Sequence, residues 1–180
     1  ILLTFSSLFT LINPIGITPI LLSMTEDESD SEYQVIIKKG IITAYIILTI
    51  FAIMGDLIFK FYGITIYAFM IAGGILFLRN SFDMIDSKIS RESSTPLETK
   101  EAIQKEDISI TPIGIPLIAG PGAITSIMIL SSQTSSYVDK CIVHINILIT
   151  LIITYIILLL GKKISKKISS TGIRIIQRIM

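Results

Sequence analysis

Two short runs hold the residues best suited to grip a polar ligand inside an apolar chain. The first is Asn13-Pro14-Ile15-Gly16-Ile17-Thr18-Pro19, and the second is Gly120-Pro121-Gly122-Ala123-Ile124-Thr125-Ser126. Proline removes a backbone donor and clashes with the carbonyl four residues earlier, while glycine adds freedom, so each run predicts a broken helix. In lipid, freed carbonyls and amides are tolerated only inside protein or beside a water-filled cavity. Asn13 offers both donor and acceptor to an ammonium or a carboxylate, next to backbone opened by Pro14 and Gly16. Gly120, Pro121 and Gly122, with Thr125 and Ser126, predict a half-helix N-terminus whose amides, hydroxyls and dipole favour a carboxylate. The competing reading of both runs is a kinked packing helix, whose polar side chains bond between helices.

Other polar residues carry weaker signals. Asp56 is the one acid inside an apolar stretch, which makes it a candidate gate or coupling-ion ligand. It lies three residues from Phe59 at the edge of that stretch, so a hydrated boundary residue is the rival reading. His144 reads as an interfacial histidine, and Ala72-Gly73-Gly74 as a surface for close helix contact. Catalysis finds no support. An aspartyl membrane protease needs a second mid-span aspartate and a Gly-x-Gly-Asp turn, but Ile53 stands where the first glycine would be. A zinc protease needs paired histidines, and a serine hydrolase needs a base at depth. Cys141 is the only cysteine, so neither an intrachain disulfide nor a thiolate metal cluster is expected, and no cofactor is implied.

The elements that position these runs follow from composition. The mean hydropathy is +0.77, and the chain is 51% apolar but only 16% charged, too apolar for a water-soluble domain of 180 residues. A net charge of +1 also argues against nucleic-acid binding. Crossing the ~30 Å hydrocarbon core takes roughly 20 residues. Apolar stretches at 1–24, 40–59, 61–78, 108–138 and 141–161, with a sixth starting at Thr171, predict an all-α protein of six membrane segments. The charges gather at Glu26–Lys39, Arg79–Asp107 and Lys162–Arg178. The positive-inside rule then predicts a multi-pass protein of the bacterial inner membrane with both termini outside, and a flexible cytoplasmic linker over 84–107.

Landmarks also repeat. Asn13-Pro14 pairs with Gly120-Pro121, Gly55-Asp56 with Gly161-Lys162, and Gly63-Ile64 with Gly172-Ile173. Three segments per half is an odd number, so the halves 1–83 and 108–180 predict an inverted repeat with broken helices one and four meeting near the midplane. This alignment expects the last segment to run beyond Met180, and the initial Ile1 suggests a trimmed start.

The sequence resembles the MarC family of integral membrane proteins, which groups with LysE-type exporters and archaeal neutral amino-acid transporters. The resemblance covers almost the whole chain. It rests on Asn13-Pro14-Ile15-Gly16 with Pro19, Phe61-Tyr62-Gly63-Ile64, Ile71-Ala72-Gly73-Gly74-Ile75-Leu76, and above all Pro116-Leu117-Ile118-Ala119-Gly120-Pro121-Gly122-Ala123-Ile124-Thr125. Arg79-Asn80 departs from the more apolar residues usual there. The two breaks, with amides and hydroxyls but no fixed charge nearby, point to transport of a small neutral solute. The resemblance implies that it is an amino acid, such as glycine or alanine. A sodium ion or proton is the candidate coupling ion. The expected partners are the lipid bilayer and that solute, and a homo-oligomer is compatible with both. A membrane scaffold without transport is the alternative.

Overall fold

The computed structural model describes residues 2–25, 28–85, 109–134 and 136–165. These form seven helices: α1 (Leu2–Ile12), α2 (Pro14–Met24), α3 (Asp30–Tyr62), α4 (Ile66–Ile85), α5 (Ser109–Ile118), α6 (Pro121–Ser132) and α7 (Tyr137–Ser165). Among the described residues no strand occurs. Three helical paths among the described residues are long and apolar enough to cross a membrane: Leu2–Leu22, which includes the break, Asp30–Tyr62 and Tyr137–Ile164. Ile66–Arg79 and Pro121–Ser132 are shorter apolar helices. The sixth expected segment and residues 86–107 of the expected linker lie outside the described residues.

Local chemistry sets the ends. Ser29 and Glu32 form a reciprocal capping box that opens α3 ten residues before the apolar stretch begins at Gly40. Gly63, at φ 64, closes α3 in the left-handed conformation that glycine adopts without strain. The hydroxyl of Thr65 accepts the Ala68 amide and starts α4, which therefore begins later than the uncharged run from Phe61 suggests. Along α3 the buried positions are Tyr33, Ile37, Gly40, Ala44, Leu48, Ala52, Gly55 and Phe59, a single stripe at helical spacing. Its opposite face exposes Ile42, Ile46, Ile50, Ile53 and Leu57. Water would not leave such a ridge of isoleucines uncovered, whereas hydrocarbon solvates it.

Small residues let the helices approach closely. A Cβ added at Gly114 would sit 2.8 Å from Thr43 Cβ and 3.3 Å from the Gly40 carbonyl, so α5 presses on the backbone of α3. Gly73 of α4 meets the Thr125 methyl of α6, and Gly161 of α7 meets the Thr18 methyl of α2. Without a hydrophobic force between helices in lipid, such contacts supply much of the association.

The packing crosses between the two halves of the sequence. α3 packs most extensively on α5 and α6, while α7 covers α1 and α2. α4 leans on α6. α3 also packs against α7, more extensively than α7 does on α1 or α2. That pair is antiparallel: the Tyr33 hydroxyl donates to the Leu158 carbonyl at 2.9 Å, and Asp56 meets Lys140 at the other end.

Candidate functional site

Both expected breaks are present. At Asn13 the backbone takes φ 45 and ψ 63, the left-handed region that asparagine enters more readily than most residues. Asn13 Oδ1 then accepts the Gly16 amide at 3.1 Å, capping α2, and Pro14 follows as its first residue. Since Pro14 has no N–H, the carbonyl of Thr10 loses its usual helical partner. The second break falls between α5 and α6. α5 is wound as a π-helix, with the Ala119 amide reaching the Gly114 carbonyl five residues back at 3.0 Å. Prolines at 112 and 116, which contribute no amide to the ladder, account for this loose winding. Gly120 then opens α6 with Pro121 as its first residue and no side-chain cap.

The two breaks face each other. α1 packs on α6 and α2 on α5, so the two broken paths run antiparallel with their gaps together. A Cβ added at Gly122 would lie 3.1 Å from Phe77 Cε1 and 3.6 Å from Leu11 Cδ2, which places the start of α6 beside the end of α1. Of the candidate residues, Pro14 and Gly122 are buried, while Asn13, Gly16 and Gly120 are half-buried and Pro121 is exposed. Ser126 is buried one turn beyond Gly122, and Thr125 is buried with its methyl turned to Gly73. Asn13 therefore spends its acceptor on α2, and the amide nitrogen is the group it can still offer a ligand.

Asp56 stands apart from the breaks. It pairs with Lys140 at 3.7 Å, and both side chains are 43% exposed. His144 Nδ1 lies 2.8 Å from the Lys140 carbonyl, a local contact within α7. Among the described residues, no cluster of three His, Cys, Asp or Glu side chains could hold a metal ion.

One feature of α7 escaped the sequence reading. Asn146, Thr150 and Thr154, spaced by four, form a buried polar stripe inside an otherwise apolar helix. The Asn146 amide donates to the Ile142 carbonyl and the Thr150 hydroxyl to the Asn146 carbonyl, but the Thr154 hydroxyl is buried without a partner among the described residues. The spacing was visible, and only the burial distinguishes it from a lipid-facing row. Thr154→Val keeps the shape and removes the unpaired group. It is expected to stabilise the protein by about 1 kcal/mol, read as a higher unfolding temperature in detergent.

Residues 1–180 match the family described as MarC family integral membrane protein. A UPF0056 membrane protein of Methanocaldococcus jannaschii is 40% identical over 99% of this chain and 87% of its own length. The UPF0056 membrane protein YvbG of Bacillus subtilis is 38% identical over 98% of this chain and 84% of its own. A further relative, from Aquifex aeolicus, is 31% identical, covering 97% and 82% respectively. No solved structure matches. With broken apolar helices, a bilayer-facing exterior and kinship along its full length, the chain belongs to the MarC family of integral membrane proteins.

Proposed function

We propose that this protein carries a small neutral amino acid across the membrane, bound between the α1/α2 and α5/α6 breaks. The observation that carries this reading is the uncapped start of α6 at half-buried Gly120, two residues before buried Gly122, which lies beside the end of α1. An uncapped helix start leaves backbone amides for a ligand or water to satisfy. At the α1/α2 break Asn13 already takes the Gly16 amide, whereas the α5/α6 break supplies both poles. The helix that begins there offers amides to a carboxylate, and the helix that ends there offers carbonyls to an ammonium. With no buried fixed charge assigned to the site, a zwitterion suits it better than a net ion, whose charge would go uncompensated. Phe77 and Leu11 crowd Gly122, which favours a solute with little or no side chain. The amino-acid class itself rests on the family resemblance.

In this reading six segments form two inverted three-helix repeats, and the lysine-rich ends face the cytoplasm. The element boundaries support the repeat. α2 and α3 begin at 14 and 30, and α6 and α7 begin at 121 and 137, an offset of 107 for both pairs. The antiparallel contact of the broken paths supports the inversion.

The test is uptake and counterflow of labelled glycine and alanine in proteoliposomes, under sodium or proton gradients. Wild type is expected to exchange either solute. Gly122→Leu should abolish exchange, while Ser126→Ala should lower apparent affinity severalfold by removing a hydroxyl. Should no solute move with wild type, the scaffold reading stands instead.

A further inference from the structure

A threonine hydroxyl inside an apolar helix can donate to the carbonyl four residues back. Thr18, Thr25 and Thr150 do so, to the carbonyls of Pro14, Leu21 and Asn146, each at 2.7 Å. Thr154 does not. It is fully buried, and its hydroxyl has no partner among the described residues, a state it shares there with the Thr49 hydroxyl on α3. A buried polar group in this condition is costly and calls for a water, an ion or a ligand.

The register of the helices places Thr154 at a break. α2 and α7 run in the same direction, because both lead to the end where Lys162 meets Asp30 and the Glu28 carbonyl, just beyond α2. On the way Gly161 touches the Thr18 methyl. Five residues back from that contact, Asn13 comes level with Ile156, so Thr154 lies about 3 Å further along, beside the end of α1. It shares Gly161's side of α7, since seven residues make nearly two full turns, and α7 packs on α1 as well as on α2. There Pro14 leaves the Thr10 carbonyl without its helical donor, at the negative end of α1. Across the gap, Leu11 lies beside Gly122 in the first turn of uncapped α6.

We propose that Thr154 binds the ammonium of the substrate and so fixes which way round an amino acid lies. The ammonium sits at the end of α1, on the Thr154 oxygen and the Thr10 carbonyl, and the carboxylate sits at the start of α6. This rests on the reading of a neutral amino acid held between the breaks. An ammonium has three protons to donate and accepts none, which suits a hydroxyl and a carbonyl and mismatches the amides of α6. Asn13 cannot serve it, because the group it can still offer is itself a donor. With the ligand in place, the Thr154 hydroxyl can donate back to the Thr150 carbonyl while its lone pair accepts from the ammonium.

The test measures binding of labelled glycine to the full protein in detergent by scintillation proximity, with unlabelled ligands in competition. Thr154→Val is expected to weaken glycine binding about tenfold while raising the unfolding temperature without ligand. Thr154→Ser should restore wild-type affinity, and Thr150→Val, whose hydroxyl is spent within α7, should leave it unchanged. Ligands with one pole locate the loss. Glycinamide, which keeps the ammonium, should lose affinity for Thr154→Val as glycine does. Propionate, shaped like glycine with a methyl in place of the ammonium, should compete with the same inhibition constant for both proteins. No loss for glycine, or an equal loss for glycine and propionate, would overturn the assignment. Glycine exchange by wild type with no loss in Thr154→Val would remove the ammonium site alone. An ammonium-specific loss without any exchange in proteoliposomes would remove transport and leave the site standing.

Discussion

Gly114→Leu is expected to leave little folded protein in the membrane. The added Cβ alone would overlap Thr43 on both Cβ and Cγ2, at 2.8 and 2.9 Å, and would crowd the Gly40 carbonyl. A carbonyl cannot step aside as a flexible side chain can, so α5 would have to lift off α3 along their extensive interface. Overpacking of this kind costs about 1–3 kcal/mol where neighbours can adjust, and more where backbone is the obstacle. Gly74→Leu is the control. Among the described residues nothing lies within 4 Å of its Cβ position, and it should unfold at nearly the wild-type temperature. Gly73, one residue earlier, meets the Thr125 methyl. Comparison of these variants by thermal unfolding in detergent checks the prediction, and equal stability of the Gly114 and Gly74 variants would show that the α3/α5 contact is not as close as described.

Substitutions at Asn13 should rank glycine above alanine above valine in stability. The left-handed backbone there strains any residue with a Cβ by about 1–2 kcal/mol, most for a branched one. Loss of the bond to the Gly16 amide adds about 1 kcal/mol. Asn13→Val should therefore lose roughly 2–3 kcal/mol, and Asn13→Gly only a few tenths. Asn13→Gly has a second use, because it keeps the break while deleting the side chain. If Asn13 serves only as a cap, this variant should exchange solute as wild type does. If its amide nitrogen holds the ligand, apparent affinity should fall while stability stays put.

Much of this arrangement is legible in the residues because proline and glycine act locally. Pro14, Pro121 and their glycines dictate breaks whatever surrounds them, and the 107-residue offset between them recurs between the starts of α3 and α7. What is set by distant partners was not legible. Asn13 reads equally as ligand or cap until Gly16 is seen bonded to it. Thr125 reads as a ligand hydroxyl, and its methyl proves to fill the space above Gly73. Thr150 and Thr154 lie in an apolar run where a threonine can face lipid or protein equally well, and only the contact with neighbouring helices decides. The exchange of partners between halves has no local signature, since a small residue such as Gly114 or Gly161 admits a close neighbour without specifying which helix supplies it.

That exchange has a consequence for how the protein is made. The ribosome delivers α3 well before its principal partners, α5 and α6, exist. At roughly 5–20 residues per second, the interval between completing α3 and completing α6 is about 4–14 s. Throughout it the stripe of Gly40, Ala44, Ala52 and Gly55 faces lipid or the insertion machinery rather than protein. The helices α1 to α4 thus wait for an assembly that is completed by residues made after them. A nascent chain stalled before Ser109 should remain protease-sensitive in the membrane, and one released after Ser165 should become resistant.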